Sequence, residues 1–351
     1  MRMTEIVRIV KGNIDEAVMK ASEIIKRGGL VVFPTETVYG LGGDAYNEEA
    51  IRKIYLVKGR PFDNPLIVHI DSLDMFSEVV RDPPESLYRY VERLWPGPFT
   101  IVYYRGSIPP VVSAGLDTVA VRMPAHPVSL KLIEYSGVPI AAPSANLSGR
   151  PSPTHPSHVI EDLYGKVDMI LDAGETLYGV ESTVIDFTSK PPKLLRPGPL
   201  TPEEISKVLD IEIYIPEFVR RKVDIYGPRS PGMKYRHYAP ETYLILVEYR
   251  GSINDMVSRI KSIYRRISRE GRIGILATDE TIKYYRDLDA VVLSLGSRDD
   301  LYTVAKNLFK RLREMDKMNL SSIIAEGFED RGLGLTIMNR LRRAADKIVY
   351  T

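Results

Sequence analysis

The sequence predicts two α/β units in one chain: a first unit built on a twisted mixed sheet with helices, and a smaller second unit built on a parallel sheet. Three observations carry this expectation. At 351 residues the chain is long enough for two cores. Up to about residue 205, short apolar runs are interspersed with fewer helical patterns than strict βαβ alternation requires. From Tyr243 onward, strand and helix patterns alternate cleanly.

The elements follow in order. Asn13 is placed to cap a helix over "IDEAVMKASEIIKRGG", whose Ile14, Ala17, Val18, Ala21, Ile24 and Ile25 form one apolar face. Acids open this helix, bases close it and Gly28 stops it. "LVVFP" reads as a buried strand, and the next segment as a loop followed by a helix beginning near Asn47. Short strands are predicted at 66–70, 99–104, 118–123, 138–142, 169–174 and 182–187. Thr201, Pro202 and Glu204 carry a capping-box signature for another helix. Residues 211–242 show little periodicity beyond a short strand at "IEIYI" and read as a connector. The second unit then runs strand "YLILVEY", a helix over 252–268, strand "RIGILAT", a short helix, strand "AVVLSL", a helix from Leu301, strand "SSIIAE" and a last helix. The apolar face of that last helix is read as Leu333, Ile337, Leu341, Ala344 and Ile348. The expected division is 1–210, 211–242 and 243–351.

Composition narrows the chemistry. Lys and Arg number 48 against 46 Asp and Glu, so no global field points to nucleic acid or membrane. With no cysteine, disulfides, thiolate zinc sites and cysteine nucleophiles are excluded. No run approaches the roughly 20 apolar residues of a membrane span, and the start lacks a signal-peptide core, so a cytoplasmic protein is expected.

Standard nucleotide motifs fail. The only Gly-Lys pair, Gly165-Lys166, is followed by Val167, so there is no P-loop. "GLGGDA" (40–45) lacks a ribose acid and reads as loop-tightening glycines; Gly332-Leu333-Gly334 is a weaker match still. His155 and His158 offer no third zinc ligand. Other groups are more suggestive. In "KGRPFDNP", Lys58 and Arg60 flank a glycine past a helix end, where they either hold a polyphosphate or complement the helix dipole. "APSANLSGRPSPT" packs Ser144, Asn146, Ser148, Ser152 and Thr154 into a turn that suits an anion or ordinary turn chemistry. Arg122 interrupts an apolar strand and needs a carboxylate, of protein or ligand. "PTETVYG" sets Thr35, Thr37 and Tyr39 at a strand end, and His69 closes another apolar strand.

Taken together and in this order, "PTETVYGL", "KGRP…NPL", "VRMP", "APSANLSG", "ESTV" and "RPG" resemble the YrdC-like domain of threonylcarbamoyl-AMP synthases, over residues 13 to about 205. "SPGMKYRHYAP" and "GLGLTIMNRLRRAA" are similar to the longer form, which adds a linker and a C-terminal, Rossmann-like domain. The resemblance implies a nucleotidyltransferase that makes threonylcarbamoyl-AMP and pyrophosphate from L-threonine, bicarbonate or CO2, and ATP. A separate transfer complex would then use the product to modify the adenosine beside the tRNA anticodon.

The resemblance implies roles as well. Lys58 and Arg60 would be catalytic. Lys58, Arg60, Thr118, Ser144, Asn146, Ser152 and Arg196 would contact ATP. Thr35, His69, Arg122, Ala142 and Ser182 would contact threonine. Mg2+ would arrive with ATP rather than in a protein-only site. "SPGMKYRHYAP" is expected to be a lid, with Ser230, Tyr235, Arg236 and His237 facing the substrates. The rival expectation is a binding module of the same fold for double-stranded RNA or tRNA without turnover, its arginines contacting phosphates. A related carbamoyl-adenylating enzyme of hydrogenase maturation would need zinc-finger cysteines that this chain lacks.

Overall fold

The computed structural model describes residues 3–221, 238–248 and 251–351. Strands β1 (Glu5–Arg8), β2 (Val31–Phe33), β3 (Gly40–Asp44), β4 (Ile67–His69), β5 (Phe99–Tyr104), β6 (Thr118–Arg122), β7 (Ile140–Ala141), β8 (Met169–Asp172), β9 (Thr183–Asp186) and β10 (Lys193–Arg196) form one mixed sheet. Its order is β1-β8-β2-β3-β7-β4-β6-β5-β9-β10. Helices α1 (Ile14–Lys26), α2 (Glu48–Lys58), α3 (Leu73–Val79), α4 (Glu85–Leu94), α5 (Pro127–Ser136), α6 (Pro156–Leu163), α7 (Pro202–Leu209) and α8 (Glu217–Arg220) belong to the same part of the chain. No helix among the described residues is long and apolar enough to cross a membrane.

Local chemistry explains the elements that position the site. The Asn47 side chain accepts from the Glu49 and Ala50 amides to start α2, and Gly59, at φ 62°, ends it in the left-handed conformation. That turn sends Lys58 and Arg60 inward, where both are buried. Parallel pairing of β4 with β6 sets His69 opposite Arg122, so the two side chains leave the sheet on one face. β7 pairs with both β3 and β4, bringing the turn after Ala141 to the ends of these strands.

The second sheet is wholly parallel. It contains β11 (Tyr243–Glu248), β12 (Ile273–Ala277), β13 (Ala290–Ser294), β14 (Ser322–Glu326) and β15 (Lys347–Tyr350), in the order β13-β12-β14-β11-β15. Helices α9 (Ile253–Ile267), α10 (Leu301–Asp316) and α11 (Leu333–Ala344) connect its strands. Ile245, Val247 and Ile275 face α9, while Leu244, Leu246 and Leu276 face α10 and α11. The neighbours β11 and β14 therefore continue into helices on opposite faces, which opens a crevice at their C-terminal ends.

Four sequence expectations need correction. Residues 40–44 form strand β3 rather than a loop, because Gly42 lies between β2 and β7 where a Cβ would come within 2.7 Å of both Phe33 and Ile140. Asn13 does not cap α1: its side chain accepts from Val10 N–H and donates to Arg8 C=O, which spends both polar ends on the preceding turn. "IEIYI" is reduced to one bridge, Lys193 with Tyr214. Finally, α11 ends at Ala344, and Ile348 belongs to β15 opposite Leu246, since Ile348-Val349-Tyr350 suits a pleated sheet edge better than a helix.

Candidate functional site

A narrow crevice of about 50 Å3 opens where β2, β4, β6 and β10 end and β9 begins. Thr35, Arg60, His69, Arg122, Ala142, Ser144, Ser182 and Arg196 line it, with Thr37, Tyr39, Glu181 and Tyr238. Backbone bonds draw the three contributing segments together: Leu41 N–H donates to Pro143 C=O, Ala145 N–H to Tyr39 C=O, and Ala142 N–H to Ile67 C=O.

Three arginines give the crevice its character. Arg60 is anchored by Asn64 C=O at 3.0 Å and Pro65 C=O at 2.9 Å. Burial lowers its guanidinium to about 10, so it stays charged at neutral pH. Arg196 donates to the Ser182 carbonyl and hydroxyl, both at 3.1 Å, and the Ser182 hydroxyl also bonds that of Thr100 at 2.8 Å. Arg122 donates to the Thr37 hydroxyl at 2.9 Å and lies 2.6 Å from Glu36 Oε1. That charge contact is not aligned as a hydrogen bond, so the pair is close but loosely matched.

The neutral groups are small and fixed. Thr35 Oγ1 accepts from the Thr37 and Val38 amides and donates to Val38 C=O at 2.6 Å, which locks the turn after β2. His69 stands edge-on to Phe33, and its Nδ1 has no hydrogen-bond partner. Burial first, then the Arg122 charge, push the imidazole down to about 3, so it is neutral through the physiological range. With the folded value below the unfolded 6.5, the unfolded chain binds the extra proton between those limits, and stability falls as pH drops through that window. Replacing His69 by Gln is expected to remove up to about one proton from the pH dependence of urea unfolding between pH 4 and 6.5. An unchanged slope would mean that His69 is solvated and charged.

Behind this lining sit other groups singled out in the sequence. Lys58 does not line the crevice: Nζ donates to Ser144 C=O at 2.5 Å and to Asn146 C=O, bracing the turn that carries Ser144. Burial, and then the Arg60 charge, pull its ammonium well below the usual lysine range. Asn146 Oδ1 accepts from the Ser144 hydroxyl at 2.5 Å, and the Ser152 hydroxyl donates to Glu181. Thr118 lies outside the lining, at the far end of β6 from Arg122, about 13 Å away along an extended strand. His155 and His158 are structural: Nδ1 of His155 accepts from Ser157 N–H at the start of α6, and Nδ1 of His158 accepts from Thr154 N–H. Ser230, Tyr235, Arg236 and His237 lie outside the described residues.

Several participants were not singled out in the sequence. Glu36 and Glu181 are buried carboxylates beside the arginines, and both stand inside motifs read for their threonines and serines. Arg340 of α11 is fully buried and donates through Nε to Glu181 at 2.8 Å and through Nη2 to Pro197 C=O at 3.0 Å. Tyr238 stacks on Phe309 with ring centroids 5.2 Å apart, and Arg340 lies 5.3 Å from its ring centre. Helices α10 and α11 thus back two lining residues of the crevice, Tyr238 and Glu181, from behind. Arg313 of α10 extends the junction through Asp162 and Pro151 C=O, each at 2.7 Å.

Comparison with known proteins fits this geometry. Residues 23–198 match the family described as "Telomere recombination" (Sua5, YciO and YrdC), and residues 200–346 match "Threonylcarbamoyl-AMP synthase, C-terminal domain". The threonylcarbamoyl-AMP synthase of Pyrococcus abyssi is 47% identical over 346 residues, covering 98% of each chain. That of Bacillus subtilis is 45% identical, covering 94% of this chain and 93% of its own. The crystal structure of P. abyssi Sua5 complexed with L-threonine superposes with a TM-score of 0.90 at 45% identity, over 99% of both chains.

Proposed function

The chain belongs to the threonylcarbamoyl-AMP synthase family in its two-domain form, and from that premise we propose that the crevice joins L-threonine, bicarbonate or CO2, and ATP, releasing pyrophosphate. One observation supports this most directly. Three buried arginines face a crevice whose remaining polar side chains are hydroxyls, one neutral, unpartnered imidazole nitrogen and the Glu181 carboxylate, which Ser152 and Arg340 already engage. Such a set suits an anionic cosubstrate together with a small hydroxylated amino acid.

In this reading Arg122 takes the threonine carboxylate in a two-pronged contact, displacing its loose pairing with Glu36, and Thr35, His69, Ala142 and Ser182 surround the amine and hydroxyl. Arg60, Arg196 and Ser144 face the phosphates, while Lys58, Asn146 and Ser152 hold the turn and Glu181 in place. Mg2+ enters with ATP as part of that substrate. The neutral threonine amine adds to CO2 and gives up a proton to water to become a carbamate, whose oxygen attacks the α-phosphorus in line as pyrophosphate leaves, so that positioning and charge neutralisation supply the catalysis. A crevice of about 50 Å3 is smaller than a nucleotide, so Tyr238 moves aside on entry and returns afterwards, keeping water from the adenylate. The unstable product passes to a separate transfer complex that acts on tRNA.

The test is pyrophosphate release from Mg-ATP with threonine and bicarbonate omitted in turn. Release that needs both, and that drops by 100-fold or more with valine in place of threonine, is the expected result, because a site built to bond a hydroxyl strands its partners when the hydroxyl is missing. Release independent of threonine points to another acceptor. No release, with RNA binding that weakens steeply in salt, would favour a phosphate-contacting surface instead.

A further inference from the structure

A second cavity, of about 610 Å3, lies at the C-terminal ends of β14 and β11, where the parallel sheet sends consecutive helices to opposite faces. It falls within the range of small-molecule sites and is far roomier than the crevice above. Ile253, Leu301, Phe328 and Leu333 give it an apolar lining, and Arg298 and Arg331 bring cations, the latter paired with Glu329 at 2.7 Å.

Arg298 is held on several sides. Its Nη2 donates to Glu326 Oε2 at 3.0 Å and to Gly327 C=O at 3.1 Å, its Nε donates to the Thr278 hydroxyl at 3.2 Å, and its guanidinium lies 4.7 Å from the Phe328 ring centre. Glu326 is fully buried and also accepts from Tyr285 at 2.8 Å, so the arginine is fixed against the cavity wall before any ligand arrives. The loop beside it is equally specific: Gly332 has φ 52°, and a Cβ on Gly334 would fall 2.2 Å from Glu329 C=O. These glycines bring the amide end of α11 onto the cavity.

We propose that this cavity binds a mononucleotide-sized phosphate ester, represented by AMP. The phosphate lies at the Gly332–Leu333 turn and the arginines, with the base over the apolar lining. Asp299, Glu203 and Glu329, on the same lining, accept hydrogen bonds from sugar hydroxyls. Thr201 and Glu203 come from the first sheet's side of the molecule, so the ligand bridges both parts of the chain.

Equilibrium dialysis of the full chain with radiolabelled AMP tests this. Two sites per chain are expected. Arg331→Glu, at a side chain 83% exposed, should weaken one of them by at least tenfold, as should Leu301→Trp, which fills the half-buried mouth; both leave pyrophosphate release unchanged. Arg60→Ala should remove only the other site. A single site lost in Arg60→Ala and indifferent to changes at 331 and 301 overturns the proposal, as does no binding at millimolar AMP. A single site lost at 331 but kept in Arg60→Ala supports it, and counts instead against nucleotide binding in the first crevice.

Discussion

Arg122→Ala is expected to lower kcat/KM for threonine in pyrophosphate release by about 10²- to 10³-fold, because it removes the group that receives the carboxylate and strands Glu36 as an unpaired buried charge. Breaking one side of such a pair typically costs about 3–5 kcal/mol. The two consequences can be separated. Glu36→Gln added to Arg122→Ala should restore most of the lost thermal stability, since the orphaned charge is gone, and restore none of the activity. Arg122→Lys keeps the charge but loses the planar fork, so it should retain the fold and still raise KM for threonine by tenfold or more. If both single variants keep KM within twofold of wild type, Arg122 is a structural partner of Glu36 and the carboxylate binds elsewhere.

Arg340→Ala should be nearly as damaging, although its Cα belongs to the second sheet's last helix. Glu181 would keep the Ser152 hydroxyl but lose its 2.8 Å partner inside the protein, at a cost of about 3–5 kcal/mol of stability. The pH dependence gives the signature. In the native chain burial alone would raise the Glu181 carboxyl, but the Arg340 and Arg196 charges outweigh it and hold the group below 4.5, so its contribution is present above that value and lost as pH falls. Without Arg340 the balance reverses: the folded group sits above 4.5 and the stability deficit shrinks as pH falls towards 5. Urea unfolding of both proteins at pH 5 and pH 8 measures this. The double variant Arg340→Met with Glu181→Leu should regain stability and remain impaired in turnover, because the crevice wall has lost its polar face. A deficit equal at both pH values would mean that Glu181 is solvated once Arg340 is gone.

These two arginines mark how far the sequence was legible. Arg122 announces itself, since a guanidinium inside "VAVRMP" needs a partner wherever the strand lies. What could not be read was that the partner is Glu36, in the turn after β2 with three strands between it and β6, and hidden in a motif whose threonines drew attention first. Arg340 announces nothing. It sits among Arg342 and Arg343 in what reads as the ordinary basic end of a helix, and only the docking of α11 against the loop before β9 separates it from a solvated charge. The second cavity shows the same limit, because Ile253, Arg298 and the loop that carries Phe328 and Gly332 are distant in sequence and meet only at the sheet's crossover.

By itself the sequence determined the class of both sheets, helices α1, α2, α7, α9, α10 and α11, and the family, because short-range patterning and ordered motifs depend on neighbours along the chain. Tertiary structure alone decided that Gly40–Asp44 is a strand and that Ile348 leaves the last helix for the sheet. It also decided that Lys58 braces a turn from behind the crevice, and that α10 and α11 support Tyr238 and Glu181 of its lining. Each of these turns on a partner distant in sequence: Phe33 and Ile140 for Gly42, Leu246 for Ile348, two carbonyls of the 144–146 turn for Lys58, and Arg340 for Glu181. Propensity and spacing carry no information about such partners. Burial does, because a polar group removed from water must find its complement wherever the fold brings one.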